Sequence, residues 1–399
     1  MRTKPVGWDI EQLRADTAGC EQTIFFNNAG ASLQPRPVVA RVIEHLRLEE
    51  QIGGYEAADR VTAELEALYG SVARLLHCAA DEIALQENAT RGWEMAFYSL
   101  RFAAGDRIVT SANEYASNYI AFLQVAQRTG VEIRVVESDQ AGEVDLEALR
   151  KLLDDRVKLI ALTHLPTNGG LVQPAAQVGE LARRAGVPFL LDATQSAGQI
   201  HLDVEALGCD MLCATGRKYL RGPRGTGFLY VRRSMLDQME PPLLDLHAAS
   251  WISQDKFVVC GDAKKFETWE SAAATRLGLG VAIEYALALG LKNIEHRVQQ
   301  LGALLRERLG EVKGVTVQDL GLVRSGIVTF TCKGHPAGEV MQRLKEQGIA
   351  VRVSERSSTR IDMERRGLEE LVRASVHYYN TEEEIERFCE AVRVWMRNV

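Results

Sequence analysis

The chain has 399 residues, 46% hydrophobic and 25% charged, with a formal net charge of −7, which suits one large globular unit with a smaller companion. The acidic balance offers no basic face for nucleic acid, and no apolar run reaches the roughly 18 residues of a membrane span. Seven scattered cysteines, an odd count without metal-ligand spacing, point to free thiols in a reducing cytoplasm and to no metal site.

The N-terminus, MRTKPVGWDIEQLRAD, lacks an apolar core and a small-residue cleavage site, so it does not read as a signal peptide. Residues up to about Cys20 read as a polar helix. Thr23 to Phe26 is a short strand running into a turn at Asn27, Asn28, Ala29 and Gly30. Helical periodicity covers Pro37–Leu48 and Arg60–Leu75. A strand around Ile83–Leu85 ends in Glu87-Asn88-Ala89-Thr90, and a helix begins near Arg91. A helix start offers free N–H groups and a positive dipole end, and Thr90 adds a hydroxyl. An ordinary N-cap and a phosphate cradle both fit.

Arg107–Thr110 is a strand, followed by NEYASN, Asn113 to Asn118. Tyr115 suits a core position, or a ring that stacks on a ligand and relays a proton. Asn118 is a second candidate polar contact. Strands follow at Glu132–Val136 and Leu159–Thr163, with a helix at Leu146–Leu153 between them. The second strand runs into the loop THLPTNGGLVQP. A helix at Ala175–Ala185 leads to the apolar strand Phe189–Ala193, FLLDA, with Gln195 three residues beyond Asp192. An aspartate at the carboxyl end of a buried strand sits where open α/β sheets bind ligands; a helix N-cap is the alternative.

After a short turn or helix at Leu202–Leu207 comes MLCATGRKYLRGPRGTGFLYV, Met211 to Val231. Two apolar strands hold a glycine-rich loop with Lys218 at its head, flanked by Thr215 and Arg217. Glycine permits close backbone approach and positive φ. A lysine fixed there could form a Schiff base next to a phosphate, the arrangement pyridoxal phosphate asks for. A surface hairpin with a solvated lysine is the alternative. From about Lys292 the pattern becomes α+β. A helix at Asn293–Leu309 is followed by strands at Val315–Asp319 and Gly326–Cys332, a helix at Ala337–Gln347, a strand at Ile349–Val353 and a last helix at Glu382–Met396.

Asp192 followed by Lys218 after a strand–helix–strand interval resembles the class V aminotransferase group of fold-type I pyridoxal-phosphate enzymes. Cysteine desulfurases, isopenicillin N epimerase and the C–S lyase of ergothioneine synthesis belong to it. The resemblance covers nearly the whole chain. It implies an α/β large domain, residues 24–290, with a mostly parallel seven-stranded sheet. Residues 1–23 and 291–399 would form a small α+β domain, and a homodimer would carry its active sites at the interface.

The resemblance also implies roles. Lys218 would hold the cofactor and act as base. Asp192 would keep the pyridine nitrogen protonated, with Thr194 on the ring face and Gln195 at the ring oxygen. Ala89, Thr90, Thr215 and Arg217 would bind the phosphate, Arg217 standing where histidine is usual. Tyr115 would replace the stacking histidine. Thr167 or Asn168 would take the place of an asparagine that touches the ring hydroxyl. Arg373 would grip the substrate α-carboxylate, Asn28 would touch substrate, and Trp269, in KKFETWE, would reach the cofactor or the interface. The desulfurase persulfide cysteine is replaced by Ser357 in GIAVRVSERSSTR, and a serine cannot accept sulfane sulfur. The expected function is β-elimination from an S-substituted cysteine or its sulfoxide, giving a thiol-type product, pyruvate and ammonia. Epimerisation or transamination, and decarboxylation with oxidative deamination, share the same parts.

Overall fold

The computed structural model describes residues 8–397; expectations for residues 1–7 lie outside them. Strand β1 (Ile24–Phe25) precedes a seven-stranded central sheet. The sheet comprises β2 (Ile83–Gln86), β3 (Arg107–Ser111), β4 (Glu132–Val136), β5 (Val157–Thr163), β6 (Phe189–Asp192), β7 (Met211–Thr215) and β8 (Gly227–Val231). Their spatial order is β2-β8-β7-β6-β5-β3-β4. Only β8 is reversed; it pairs antiparallel with β7 and β2, while the other pairs are parallel.

The period of two explains why these runs are strands. Ile160, Leu162, Leu191, Leu212 and Tyr230 enter one apolar cluster. Their neighbours Leu159, Ala161, Leu190, Met211 and Leu229 enter another on the opposite face. Both faces are covered by helices, so the strands are apolar almost throughout. Because β2, β3, β5, β6 and β7 run the same way, their carboxyl ends meet along one edge, and the amino end of β8 meets them there. Gly227 is required at that junction. A β-carbon on it would lie 2.7 Å from the Ala214 carbonyl oxygen and 2.8 Å from the Asn88 carbonyl carbon.

A hairpin follows, β9 (Ala249–Ser253) with β10 (Lys256–Val259). Sequence pattern does not announce it, because its polar residues break the alternation. The small unit is an antiparallel sheet, β11 (Val315–Val317), β12 (Ile327–Cys332), β15 (Glu370–Ser375) and β14 (Arg352–Glu355), in that order. β13 (Ile349–Ala350) pairs in parallel with β1. Thus the strand expected at Ile349–Val353 divides at Val351 between two sheets. The structure also places the segment 24–26 differently from the division expected at residue 24. Ile24 and Phe26 pack with Leu305, Phe330 and Phe388 of the small unit. The helix Leu291–Gly310 joins both bodies: Leu291, Ile294 and Val298 pack under the large sheet, Leu301, Leu305 and Leu309 under the small one. Among the described residues no single helix is long and apolar enough to cross a membrane.

Candidate active site

A cavity of about 370 Å³ opens at the edge where the parallel strands end. Each strand end supplies part of its wall: Ala89 and Thr90 beyond β2, Tyr115 and Asn118 beyond β3, Thr163 and Thr167 from β5. Asp192, Thr194 and Gln195 come from β6, and Thr215, Arg217 and Lys218 from β7. Eleven residues expected at the site, Asn118 among them, are therefore brought together, from Ala89 to Lys218 in sequence.

Lys218 is buried, not solvated. Burial pulls its amine down to about 7; the charges of Arg217 and Arg373 act in the same direction and Asp192 partly opposes them. The loop around it is tied by backbone hydrogen bonds. The Arg221 N–H donates to the Lys218 carbonyl at 2.9 Å, and Gly222 N–H to Gly216 at 2.8 Å. Arg221 itself has φ +60°, a costly left-handed geometry. Three contacts hold it there: the Leu33 carbonyl at 2.8 Å, the Tyr378 hydroxyl at 2.6 Å and the Thr17 hydroxyl at 2.6 Å. Behind the loop, His377 Nε2 donates to the Tyr219 carbonyl at 3.0 Å while its Nδ1 accepts from Tyr378 N–H. Burial keeps that imidazole neutral.

Asp192 accepts the Thr194 N–H at 2.9 Å through one oxygen and the Asn118 amide at 2.9 Å through the other. The same Asn118 nitrogen donates to Glu114 at 2.8 Å. Glu114 is buried, gathers the Thr110 hydroxyl at 3.0 Å and the Thr163 N–H at 3.1 Å, and fixes Tyr115 through its N–H at 3.1 Å. Burial pushes its carboxyl up to about 7; the hydrogen bonds from Thr163, Asn118 and Thr110 oppose this and the charge of Asp192 adds to it. Sequence reading alone misses Glu114, treating it as the mere neighbour of Tyr115. The available signal is a carboxylate with no basic residue nearby in sequence.

At the anion end, the helix Ala89–Tyr98 is capped by Asn88, whose side chain accepts from Arg91 N–H at 2.9 Å. Thr90 is therefore not the cap; it sits in the first turn, where free N–H groups and the dipole favour an anion. Thr215 commits its hydroxyl to the Thr226 carbonyl at 3.1 Å. Arg217 donates to the Gly30 carbonyl.

Arg373 lies on β15 behind Thr167, donating to its hydroxyl at 2.6 Å. Burial pulls the guanidinium to about 10, and its Nε has no partner. Gln195 donates to the Ala29 carbonyl at 3.1 Å and to Thr167 at 3.3 Å, leaving its buried Oε1 unpartnered. Buried polar atoms without partners call for an explanation; the Gln195 oxygen lines the cavity and the Arg373 Nε lies behind Thr167, where a ligand supplies one. With Lys218 and Asp192 in one cavity and a helix N-terminus at its end, the residues fit an aldehyde cofactor carrying a pyridine nitrogen and a phosphate.

Three expected site residues are corrected. Asn168 does not line the cavity; its amide donates to the Glu355 carbonyl at 3.0 Å and the Thr359 hydroxyl at 2.9 Å, tying the loop to the small unit. Thr167 is the residue that faces inward. Asn28 is fully buried and spent on structure, donating to the Ser375 carbonyl at 2.7 Å and accepting from the Tyr379 hydroxyl at 2.5 Å. Trp269 lies outside this protomer's cavity, 52% exposed with its backbone N–H on Asp245, so only its expected contact with the cofactor of its own protomer is corrected; the exposure is compatible with the expected place at the interface. Asn28→Ala is accordingly expected to leave KM within about twofold. It should lower stability by about 1–3 kcal/mol, read by denaturant unfolding beside steady-state kinetics.

None of the seven cysteines lines the cavity. Burial pushes the Cys332 and Cys389 thiols up to about 12, and Ser357 is exposed on the turn Arg356–Ser358. Among the described residues no cluster of His, Cys, Asp or Glu is placed to hold a metal.

The model of the family "Aminotransferase class-V" matches residues 24–388. A probable cysteine desulfurase of Methanothermobacter thermautotrophicus is 30% identical over 98% of both chains. One from Xylella fastidiosa is 31% identical over 97% of this chain and 96% of its own. Among solved structures, the apo cysteine desulfurase of Thermococcus onnurineus superposes with a TM-score of 0.92 at 28% identity, over 100% of both chains.

Proposed function

We propose, from the premise that this chain belongs to the class-V aminotransferase family, that it is a C–S β-lyase of S-substituted cysteines or their sulfoxides. It is an enzyme that uses pyridoxal phosphate, and the cavity fits that group. When bound, the cofactor supplies an electron sink for an anion at the substrate α-carbon.

The protein's own residues do the rest. The Arg373 fork suits the α-carboxylate. Lys218, whose amine burial brings to about 7, is uncharged in a large fraction at neutral pH and takes the α-proton. Asp192, oriented by Thr194 and Asn118, holds the proton of the pyridine nitrogen. The carbon–sulfur bond then breaks with its electron pair on sulfur, and the Tyr115 hydroxyl gives sulfur a proton. For R–S–CH₂–CH(NH₃⁺)–COO⁻ plus water, the products are RSH, pyruvate and ammonium.

The observation that carries this reading is the lack of a thiol at the cavity. A desulfurase passes sulfur to a protein thiolate; here every described thiol is pushed up by burial and Ser357 occupies the loop. Direct release of a thiol needs no such acceptor. Unpaired cysteines are in keeping with a reducing cytoplasm. Trp251, Ile252, Phe257 and Val258 stand 55–81% exposed on the β9–β10 hairpin, a surface suited to a second copy of the chain, in line with a homodimer.

The test is to supply S-ethyl-L-cysteine and L-cysteine separately and to measure pyruvate and thiol. Equimolar pyruvate and ethanethiol are expected. Exchange of the α-proton without pyruvate would instead favour epimerisation and sink the lyase reading.

A further inference from the structure

The buried carboxylate of Glu114 collects its hydrogen bonds from neutral groups alone: the Thr110 hydroxyl, the Thr163 N–H and hydroxyl, the Tyr115 N–H and the Asn118 amide. These donors come from β3, from the end of β5, from the turn after β3 and from the first turn of the helix Ala116–Thr129. A buried acid without a cation is costly, and burial pushes this one up to about 7. A neutral side chain of the same size would fill the space with a smaller desolvation penalty.

The line of contacts runs on into the cavity. Asn118 gives one hydrogen of its amide nitrogen to Glu114 at 2.8 Å and the other to Asp192 at 2.9 Å. An amide held between two carboxylates has one orientation, because turning it over would set its oxygen against both. Asp192 also accepts from Thr194 N–H at 2.9 Å, but that bond is local, two residues on in the same turn. The Asn118 bond reaches Asp192 from a different element, and Glu114 fixes its direction. The Tyr115 N–H rests on the same Glu114 carboxylate at 3.1 Å, so two residues that line the cavity, Tyr115 and Asp192, share one anchor.

We propose that Glu114 is a positioning residue: through Asn118 it holds the Asp192 carboxylate in the orientation that keeps the ring nitrogen of the cofactor protonated. The proposal rests on the role of Asp192 toward that nitrogen and not on which substrate bond breaks afterwards, so it stands apart from the lyase reading.

The experiment compares pyridoxal phosphate with its 1-deaza analogue, in which CH replaces the ring nitrogen. Both aldehydes are titrated by absorbance into the full chain freed of cofactor, as wild type and as Asp192→Asn, Glu114→Ala, Glu114→Gln, Asn118→Ala and the double variant E114A/N118A. The readout is the preference for pyridoxal phosphate, taken as the ratio of the two dissociation constants. The intrinsic difference between the aldehydes cancels when a variant is set against wild type. A residue that only stabilises the fold moves both constants alike and leaves the ratio where it was.

D192N sets the scale and should lower the preference by at least about tenfold. E114A and N118A should each lower it by about three- to tenfold, and the double variant no further than either alone, since both act along one line of contacts. E114Q still offers the Asn118 amide an oxygen and should keep part of the preference. A wild-type ratio in E114A would overturn the proposal, as would effects of E114A and N118A that multiply in the double variant. Should E114A not fold, N118A decides: it leaves the other bonds of Glu114 in place, and an unchanged ratio there overturns the proposal. A ratio unmoved by D192N removes the premise and overturns it too, whereas a wild type that releases no pyruvate counts against the lyase reading alone.

Discussion

Lys218→Ala is expected to lower turnover by at least about 10³-fold and to abolish the visible absorbance that the cofactor retains through dialysis in the wild type. Both effects follow from one atom. Among the described residues Lys218 is the only lysine lining the cavity, and in the proposed mechanism its amine is both the attachment point and the base for the substrate α-proton. Its environment makes a pH signature as well. Burial lowers the folded value to about 7 from 10.5. Below about pH 7 both folded and unfolded chains carry the proton, so the cost of burying the charge is fully present. Between about 7 and 10.5 the unfolded chain binds a proton that the folded one does not, and stability rises with pH. Cofactor-free Lys218→Met should therefore unfold at a higher temperature than cofactor-free wild type at about pH 6, and the gain should shrink by about pH 10. Scanning calorimetry at the two pH values reads this; a gain that grows with pH would mean the lysine is not a buried base.

Asp192→Asn should separate binding from chemistry. The substitution keeps size and the acceptor for Thr194 N–H, and it leaves Lys218 in place. It removes the charge that, in the proposed mechanism, keeps the pyridine nitrogen protonated. The cofactor should stay bound and its absorbance should persist, while kcat falls by on the order of 10²–10⁴. The neighbouring network sharpens the expectation. Asn118 donates to both Asp192 and Glu114, so the new amide is free to turn its NH₂ toward Asn118 and disturb Tyr115 through Glu114. Loss of cofactor from D192N would show that Asp192 acts mainly in binding. Rates within about twofold of wild type would remove it from the mechanism.

Much of this site is legible in the amino-acid sequence. The strands of the large sheet stand out because both faces are buried, and the glycines of the Lys218 loop because β8 must start against Asn88. Asp192, Gln195 and Lys218 stand at strand ends, and strand ends in a parallel sheet converge. What escapes is long-range. The side chain of Asn28 has the right chemistry for substrate, but Ser375 and Tyr379, some 350 positions away, use it up. Arg373 sits mid-strand in β15, where its charge interrupts the apolar pattern, so the family resemblance and not the pattern points to it. Arg221, which props the lysine loop with a left-handed backbone, looks in sequence like one more loop arginine. The choice between Thr167 and Asn168 depends on β14 and the turn after it, which capture the Asn168 amide.

The central claim is that the cofactor is joined to one particular amine. Borohydride reduction of the purified enzyme followed by peptide mapping tests it most directly. The pyridoxyl mass should appear on Lys218 alone, in the peptide between Arg217 and Arg221. The same label on another lysine, or its absence from that peptide, would contradict the account.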